Sequence, residues 1–475
     1  MPFPLLFLLV VFFFKNAFSM GFFGDDYFFL KISKVNYIAD FFNFFSPAKS
    51  YFYRPIPTEL FYYVVNLSKG NLFISHLMVF TVYFIGLYFS YLSIFKLTRN
   101  KPLAQLTIVL YAINFVHVFQ LYQLSTFQEI AFYAFLSLSL YFFIETKYLL
   151  STFFFVLGCM SKETAVLFPL FMIGLSFVSK KISSGRKYIF LFGLISLVIA
   201  FIYKFGVNSV IAIDTYKIQF NPRLGLNNLL WYILWSLGFP NFLPDYFTSI
   251  FKKPIPEFWK VLANNQIKIY LIIVLIYLVI LLVALILLVL KKRQLLKQFF
   301  VYFSVSAFSF ILFISPTLLI FHKWMVRLTV PLIFTVFIES YLILFMIKNK
   351  GFYRVIGWSL IVIYFLVSWF GIAIHESSSS YMLERSIYKN ASLYFKNHYQ
   401  NISQSRYIYF QDPLTKNFDP WGGSQKLKVS FGDQNFLDYF FPGKNLKAIY
   451  EFENKKIPTN SAVIESFDDI LKTSK

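Results

Sequence analysis

After Lys268 the chain runs to Leu290 without another charged side chain. At 1.5 Å of rise per residue such a stretch is long enough to cross the roughly 30 Å hydrocarbon core of a bilayer. Comparable apolar segments recur along the chain, at 2–18, 72–95, 103–120, 127–144, 148–160, 164–179, 188–206, 268–290, 299–320, 328–347 and 353–374. Composition agrees: of 475 residues 58% are hydrophobic and 14% charged, against about 45–50% and about 25% in soluble domains, which excludes a soluble globular enzyme. The first segment ends in Asn16-Ala17-Phe18-Ser19, but no basic region precedes it, so it reads as a retained span rather than a cleaved signal. The expected fold is an all-α polytopic membrane protein, with about eleven transmembrane helices in residues 1–374 and a polar tail over 375–475.

The formal charge is +22, from 44 Lys and Arg against 22 Asp and Glu. In a membrane protein such an excess serves topology and anionic headgroups, and no nucleic-acid partner is expected. The single cysteine, Cys159, permits no intramolecular disulfide and no zinc cluster. Lys96, Arg99 and Lys101, then Lys147, then Lys180, Lys181, Arg186 and Lys187, then Lys291, Lys292, Arg293 and Lys297, then Lys348, Lys350 and Arg354 fall on one side if spans alternate. The positive-inside rule makes that side the cytoplasm. Residues 207–267 then form one long outer loop, with apolar 227–247 lying at the interface or dipping in and returning, and Trp231 and Trp235 suit an interfacial helix.

With that orientation Asp25, Asp26, Asp40, Glu59, Glu129, Glu163, Asp214, Asp245 and Glu257 fall at or near the outer face, Glu145 is cytoplasmic and Glu339 lies mid-span. Any chemistry is expected outside. The tail has a helical pattern at 380–399 and strand-like runs at 406–410 and 462–464, which predict a small extracytoplasmic α/β domain.

The first outer loop, 19–71, carries Asp25 and Asp26 just after the first span. A carboxylate there can deprotonate an incoming hydroxyl or hold a divalent cation, and is otherwise a hydrated juxtamembrane group. Pro55 suits the first position of a helix running to about Asn66, with Arg54 just before it, able to fork onto a carboxylate or phosphate or to snorkel. Glu59 is equally an acid favoured by the helix dipole. His76 opens the second span as a further candidate. Residues 148–160 make a helix of only about 20 Å, so Lys162 and Glu163 lie below the interface, where charges are paired or functional. The bland alternative is a hairpin turn in which those two satisfy each other. Finally His322, Lys323 and Arg327 put cations on the side the positive-inside rule depletes, suiting a phosphate-bearing lipid or simple interfacial anchoring.

These pieces together resemble the GT-C superfamily of integral-membrane glycosyltransferases, and most the protein O-mannosyltransferase branch with its transmembrane-and-TPR and bacterial relatives. Three motifs carry the resemblance, over about residues 20–170. They are Gly24-Asp25-Asp26, then Tyr53-Arg54-Pro55-Ile56 followed by Asn71-Leu-Phe-Ile-Ser-His76, and Ser161-Lys162-Glu163-Thr164 with Pro169 downstream. Relatives commonly carry an Arg-Tyr-Leu-Tyr-Leu-Pro type motif where this chain has Arg327-Leu-Thr-Val-Pro331, and no TPR array is read after the last span. The resemblance implies a GT-C-like transmembrane catalytic domain in a bacterial inner or plasma membrane. It implies a polyprenyl-phosphate-linked monosaccharide donor used from the extracytoplasmic leaflet, and a first-loop aspartate as general base. That role carries to Asp25, with Asp26 orienting the acceptor or a metal. Donor phosphate falls to Arg54, Lys162, His322 and Arg327, and acceptor or sugar contacts to Glu59, His76 and Glu163. No cofactor is certain and a divalent metal is possible, at Asp25 and Asp26 if anywhere. The acceptor stays open between protein, lipid and glycan. A lipid-linked polysaccharide polymerase or ligase, and a secondary transporter built around Glu339, are the alternative readings.

Overall fold

The computed structural model describes residues 3–48, 52–206, 217–247, 249–291, 293–412, 423–453, 455–456, 462–466 and 470. Asp214 and Lys292 lie outside the described residues. The chain is predominantly helical. Among the described residues six helices are long and apolar enough to cross a membrane: Leu72–Thr98, Leu124–Ile144, Arg186–Phe205, Asn265–Leu290, Leu296–Leu318 and Phe352–Glu376. Lys101–Ile113 and Phe115–Tyr122 make a seventh if the pair, bent by 46°, is one span. The remaining expected spans are helical but shorter: Phe3–Phe13, Tyr148–Cys159, Glu163–Ser176 and the 17 residues of Leu332–Lys348. On length and composition alone, therefore, six or seven of the eleven expected spans qualify.

The centre is the pair Leu72–Thr98 and Phe127–Ile144. Small residues let their backbones approach, as in membrane helix pairs generally. A Cβ added to Gly86 would lie 2.5 Å from the Tyr133 ring, and one turn along Ser90 and Ser137 share a 2.8 Å hydrogen bond. Phe127–Ile144 is tied in turn to Tyr148–Cys159 by reciprocal bonds: the Ser139 hydroxyl donates to the Ser151 carbonyl at 2.9 Å and the Ser151 hydroxyl to the Ser139 carbonyl at 2.7 Å.

Between these elements the backbone at 114–126 is broken, and its polar groups are met by side chains, as buried irregular backbone requires. Asn114 accepts from the Val116 amide at 3.0 Å and donates to the Tyr364 hydroxyl at 2.7 Å. Gln120 donates to the Val326 carbonyl at 3.1 Å and to the Thr329 hydroxyl at 2.9 Å.

The expected interfacial segment is a helix, Pro222–Ser236, but Trp231 and Trp235 are each only 2% exposed. The indoles face protein rather than an open interface. Asn228 is the physical reason, since its amide donates to the Leu318 and Ile320 carbonyls at 3.0 and 2.9 Å and holds the helix against the bundle.

Beyond Glu376, a helix at Ser379–Asn397 leads to a parallel sheet ordered β2-β1-β3, where β1 is Tyr407–Gln411, β2 Lys447–Tyr450 and β3 Ala462–Ser466. Tyr407 stands opposite Lys447 on one side and Ala462 on the other. Helices Gly423–Ser430 and Asn435–Phe440 pack on it through stacked Phe431 and Phe436, whose ring centroids are 4.1 Å apart.

Gly86→Val drives methyl groups into Tyr133 and should cost about 1–3 kcal/mol, seen as a lower melting temperature in detergent. Gly193, with nothing within 4 Å of an added Cβ, should tolerate Ala. Equal melting of Gly86→Val and wild type would deny the close approach.

Candidate functional site

The first helix ends at Phe13, and after a 3-10 turn at Lys15–Ser19 the chain reaches Gly24 with φ +56° and ψ −115°. Only glycine adopts that conformation readily. It starts the helix Asp25–Ile32, putting both carboxylates in the first turn, where the helix dipole favours them. Their surroundings differ. Asp26 is 1% exposed, accepting from the Phe23 amide at 2.7 Å and, through its other oxygen, from the Tyr62 hydroxyl. Burial still outweighs these bonds and pushes its pKa up to about 7. Asp25 is exposed. Surrounding protein raises its pKa above the ordinary 3.8, against the pull of the Arg54 guanidinium.

Pro55 does open a helix. Its first stretch, Ile56–Leu60, is a π-turn that continues as Phe61–Leu67, and such turns are frequent at functional sites. Arg54 stands just before it, its guanidinium 4.5 Å from the Phe52 ring. Its fork meets Glu163 twice, Nε to Oε2 at 2.9 Å and Nη2 to Oε1 at 2.7 Å, while Nη1 donates to Gln128. Lys162 pairs with Glu129, not with Glu163. Lys162 is extended, with φ −160° and ψ 138°, just before the 3-10 helix Glu163–Leu167, so the two side chains leave from differently shaped backbone. The Lys162 and Glu129 side chains are 9% and 3% exposed. Glu163, at 44% beside Arg54 at 12%, keeps an open edge. The Ile56 amide reaches the Met160 carbonyl at 3.5 Å, joining the two loops.

The other sequence candidates lie elsewhere. Glu59 is buried in the π-turn at 2% exposure, near Tyr53. His76 is fully buried, its ring nitrogens against the Leu121 carbonyl at 3.2 Å and the Met20 carbonyl at 3.3 Å. His322 and Arg327 share a turn in which Arg327 Nη1 donates to the His322 carbonyl at 3.2 Å. Burial and then the Arg327 and Lys323 charges lower the His322 pKa, so its ring is neutral at pH 7. The three cations read from sequence are therefore two at that pH, with Asp245 acting electrostatically on Lys323. Segment 114–129 backs both halves: Gln120 beside Arg327, and Gln128 and Glu129 on Arg54 and Lys162.

Behind the ion pairs is an apolar cavity of about 280 Å³, with Phe168, Phe313 and Val330 toward the site and Leu97, Val178 and Val301 toward the opposite end of the bundle. Among the described residues no three His, Cys, Asp or Glu side chains converge for a metal, and the divergent settings of Asp25 and Asp26 do not fit one. Gln128, Tyr62 and the pairing role of Glu129 were not foreseen. Gln128-Glu129 follows the broken segment directly, the one sequence cue available. The chain matches no protein-family model, and no curated protein matches it.

Glu129→Gln or Lys162→Met alone leaves a buried charge unpaired and should cost about 3–5 kcal/mol, with the double variant recovering much of the loss. Denaturation of the purified variants checks this, and a similar rescue by Lys162→Met with Glu163→Gln would reassign the pair. Asp26 makes stability pH-dependent. Its folded pKa of about 7 exceeds the ordinary 3.8, so its contribution is complete below 3.8 and lost as pH rises through 7. Asp26→Asn should flatten that slope in melting temperature against pH.

Proposed function

We propose that this chain is an integral-membrane glycosyltransferase of GT-C type. In this reading it moves one sugar from a polyprenyl-phosphate donor to an acceptor hydroxyl on the extracytoplasmic side, with inversion. The observation that carries it is Asp25: an exposed carboxylate with a raised pKa, fixed at a helix start under the charge of Arg54. A carboxylate whose pKa is raised is a stronger base than an ordinary one and so better suited to taking a hydroxyl proton. Beside it the Arg54–Glu163 pair offers donors and an open carboxylate edge to sugar hydroxyls, and the apolar cavity offers room for part of a prenyl chain.

The topology that goes with this reading has eleven crossings, with the shorter helices spanning too, the Lys- and Arg-rich turns in the cytoplasm, and 375–475 outside as an α/β domain. In the reaction the Asp25 carboxylate accepts the acceptor O–H proton. The acceptor oxygen bonds to the anomeric carbon as its bond to the phosphate oxygen breaks. That electron pair leaves on the phosphate from the opposite face, which inverts the configuration. Arg54 and Lys162 already hold carboxylates, so the charge that neutralises the leaving phosphate comes from Arg327, and the neutral His322 ring adds a hydrogen bond. No step needs a metal.

One observation favours the transport alternative. Glu339 is a carboxyl 2% exposed within Leu332–Lys348, with the Tyr277 hydroxyl facing it, and ionisable groups at membrane depth are a mark of ion pathways.

Asp25→Asn should cut transfer by about 100- to 10,000-fold while leaving the protein folded, and Arg327→Ala should strip co-purifying donor lipid in native mass spectrometry. Wild-type transfer should fall as pH drops through the raised Asp25 pKa, because the base must be ionised. Full turnover by Asp25→Asn would remove Asp25 from the chemistry, and Glu339-dependent uptake without transfer would favour transport.

A further inference from the structure

The residues that fix Gly24 come from the far end of the chain. The Gly24 amide donates to the Ser430 carbonyl at 2.8 Å. A Cβ added to Gly432, itself at φ +57°, would stand 2.4 Å from the Gly24 carbonyl oxygen. A Cβ on Gly21 would meet the Tyr388 ring at 2.3 Å. The Tyr27 ring sets its edge against Phe436 with centroids 5.1 Å apart, and Lys31 pairs with Asp438 at 2.7 Å. A second grip is taken on the broken segment, where Gln123 donates to Glu384 at 3.0 Å and the Tyr122 hydroxyl to Glu376.

We propose that the C-terminal segment is a positioning element for Asp25. The turn between helices Gly423–Ser430 and Asn435–Phe440 clamps Gly24 and so sets which first-turn carboxylate faces the site and which is buried. Adjacent residues on a helix point about 100° apart. A rotation of the Asp25–Ile32 helix by part of that angle would therefore change the surroundings of both carboxylates together and take Asp25 off its exposed position. The Gly24 dihedrals are the hinge of that rotation, and the contacts holding them come from the tail. Gly432, Tyr388 and the Ser430 carbonyl touch no reacting atom in this scheme and act only through the helix that follows Gly24. The inference rests on reading Asp25 as the base.

The test uses the full-length protein carrying Gly432→Ala, with Gly443→Ala as control. Gly443 lies in the same segment at φ +76°, with nothing within 4 Å of an added Cβ, so it carries the same backbone strain without the contact. Hydrogen exchange over residues 22–28 should quicken about tenfold or more in Gly432→Ala and stay at wild-type rate in Gly443→Ala. Transfer by Gly432→Ala should lose about tenfold to a hundredfold in kcat with donor KM unchanged, and its pH profile should move because the carboxylates change surroundings. A folding defect shared by both glycine variants, or unchanged exchange in Gly432→Ala, overturns the proposal. If Gly432→Ala yields no folded protein, Tyr388→Ala, which removes the ring lying on Gly21, should give the same exchange gain, and wild-type exchange there overturns it too. Absence of transfer by the wild-type protein would remove the glycosyltransferase reading, and the exchange comparison would then decide the positioning role alone.

Discussion

Lys162 is the extended residue before the 3-10 helix Glu163–Leu167, and it and its neighbour Glu163 find their counter-charges on different elements. Arg54 answers one and Glu129 the other. That single constraint ties the first loop, the start of the Phe127–Ile144 helix and the turn after Tyr148–Cys159 into one unit. Removing Lys162 or Glu129 leaves a charge in a place with little water, where the penalty exceeds that of losing a surface pair several-fold. The pairs thus define the geometry in which Asp25 can be exposed and close to Arg54 at once.

A comparable logic holds where helices break. The bundle interrupts regular structure at 114–126, at Ile56–Leu60 and before Met325, and in each place amides of Asn or Gln or a hydroxyl supply the missing partners. Asn228 does the same between Pro222–Ser236 and the Leu318–Ile320 backbone. The irregular backbone is therefore supported by side-chain hydrogen bonds, as buried backbone away from water requires.

Apolar segments and the strands at 407–411 and 462–466 were legible because each depends on a local pattern. Partners were not. Arg54 and Glu163 are separated by 109 positions, and no spacing announces that Lys162 would prefer Glu129 to its neighbour. Asp25 and Asp26 are the same residue type side by side, and no local pattern tells that Asp26 is the one received by the Tyr62 hydroxyl and the Phe23 amide. Trp231 and Trp235 illustrate a related limit of pattern, since aromatic residues that suit an interface equally suit a core, and the contact that seats their helix belongs to Asn228. Lys447–Tyr450 escaped notice because four residues are too few for a pattern.

The tie between Lys31 and Asp438 joins positions 407 apart in the chain, and the Gly24–Ser430 bond beside it has a similar reach. During synthesis the aspartate loop emerges about 400 residues before its clamp. All the membrane-length helices among the described residues must be made before the two can meet, and closing so long a loop places the contact late in folding. The ribosome therefore releases a chain whose apolar helices are already complete before its aspartates acquire their final orientation, so a nascent or prematurely terminated chain carries the loop without the geometry.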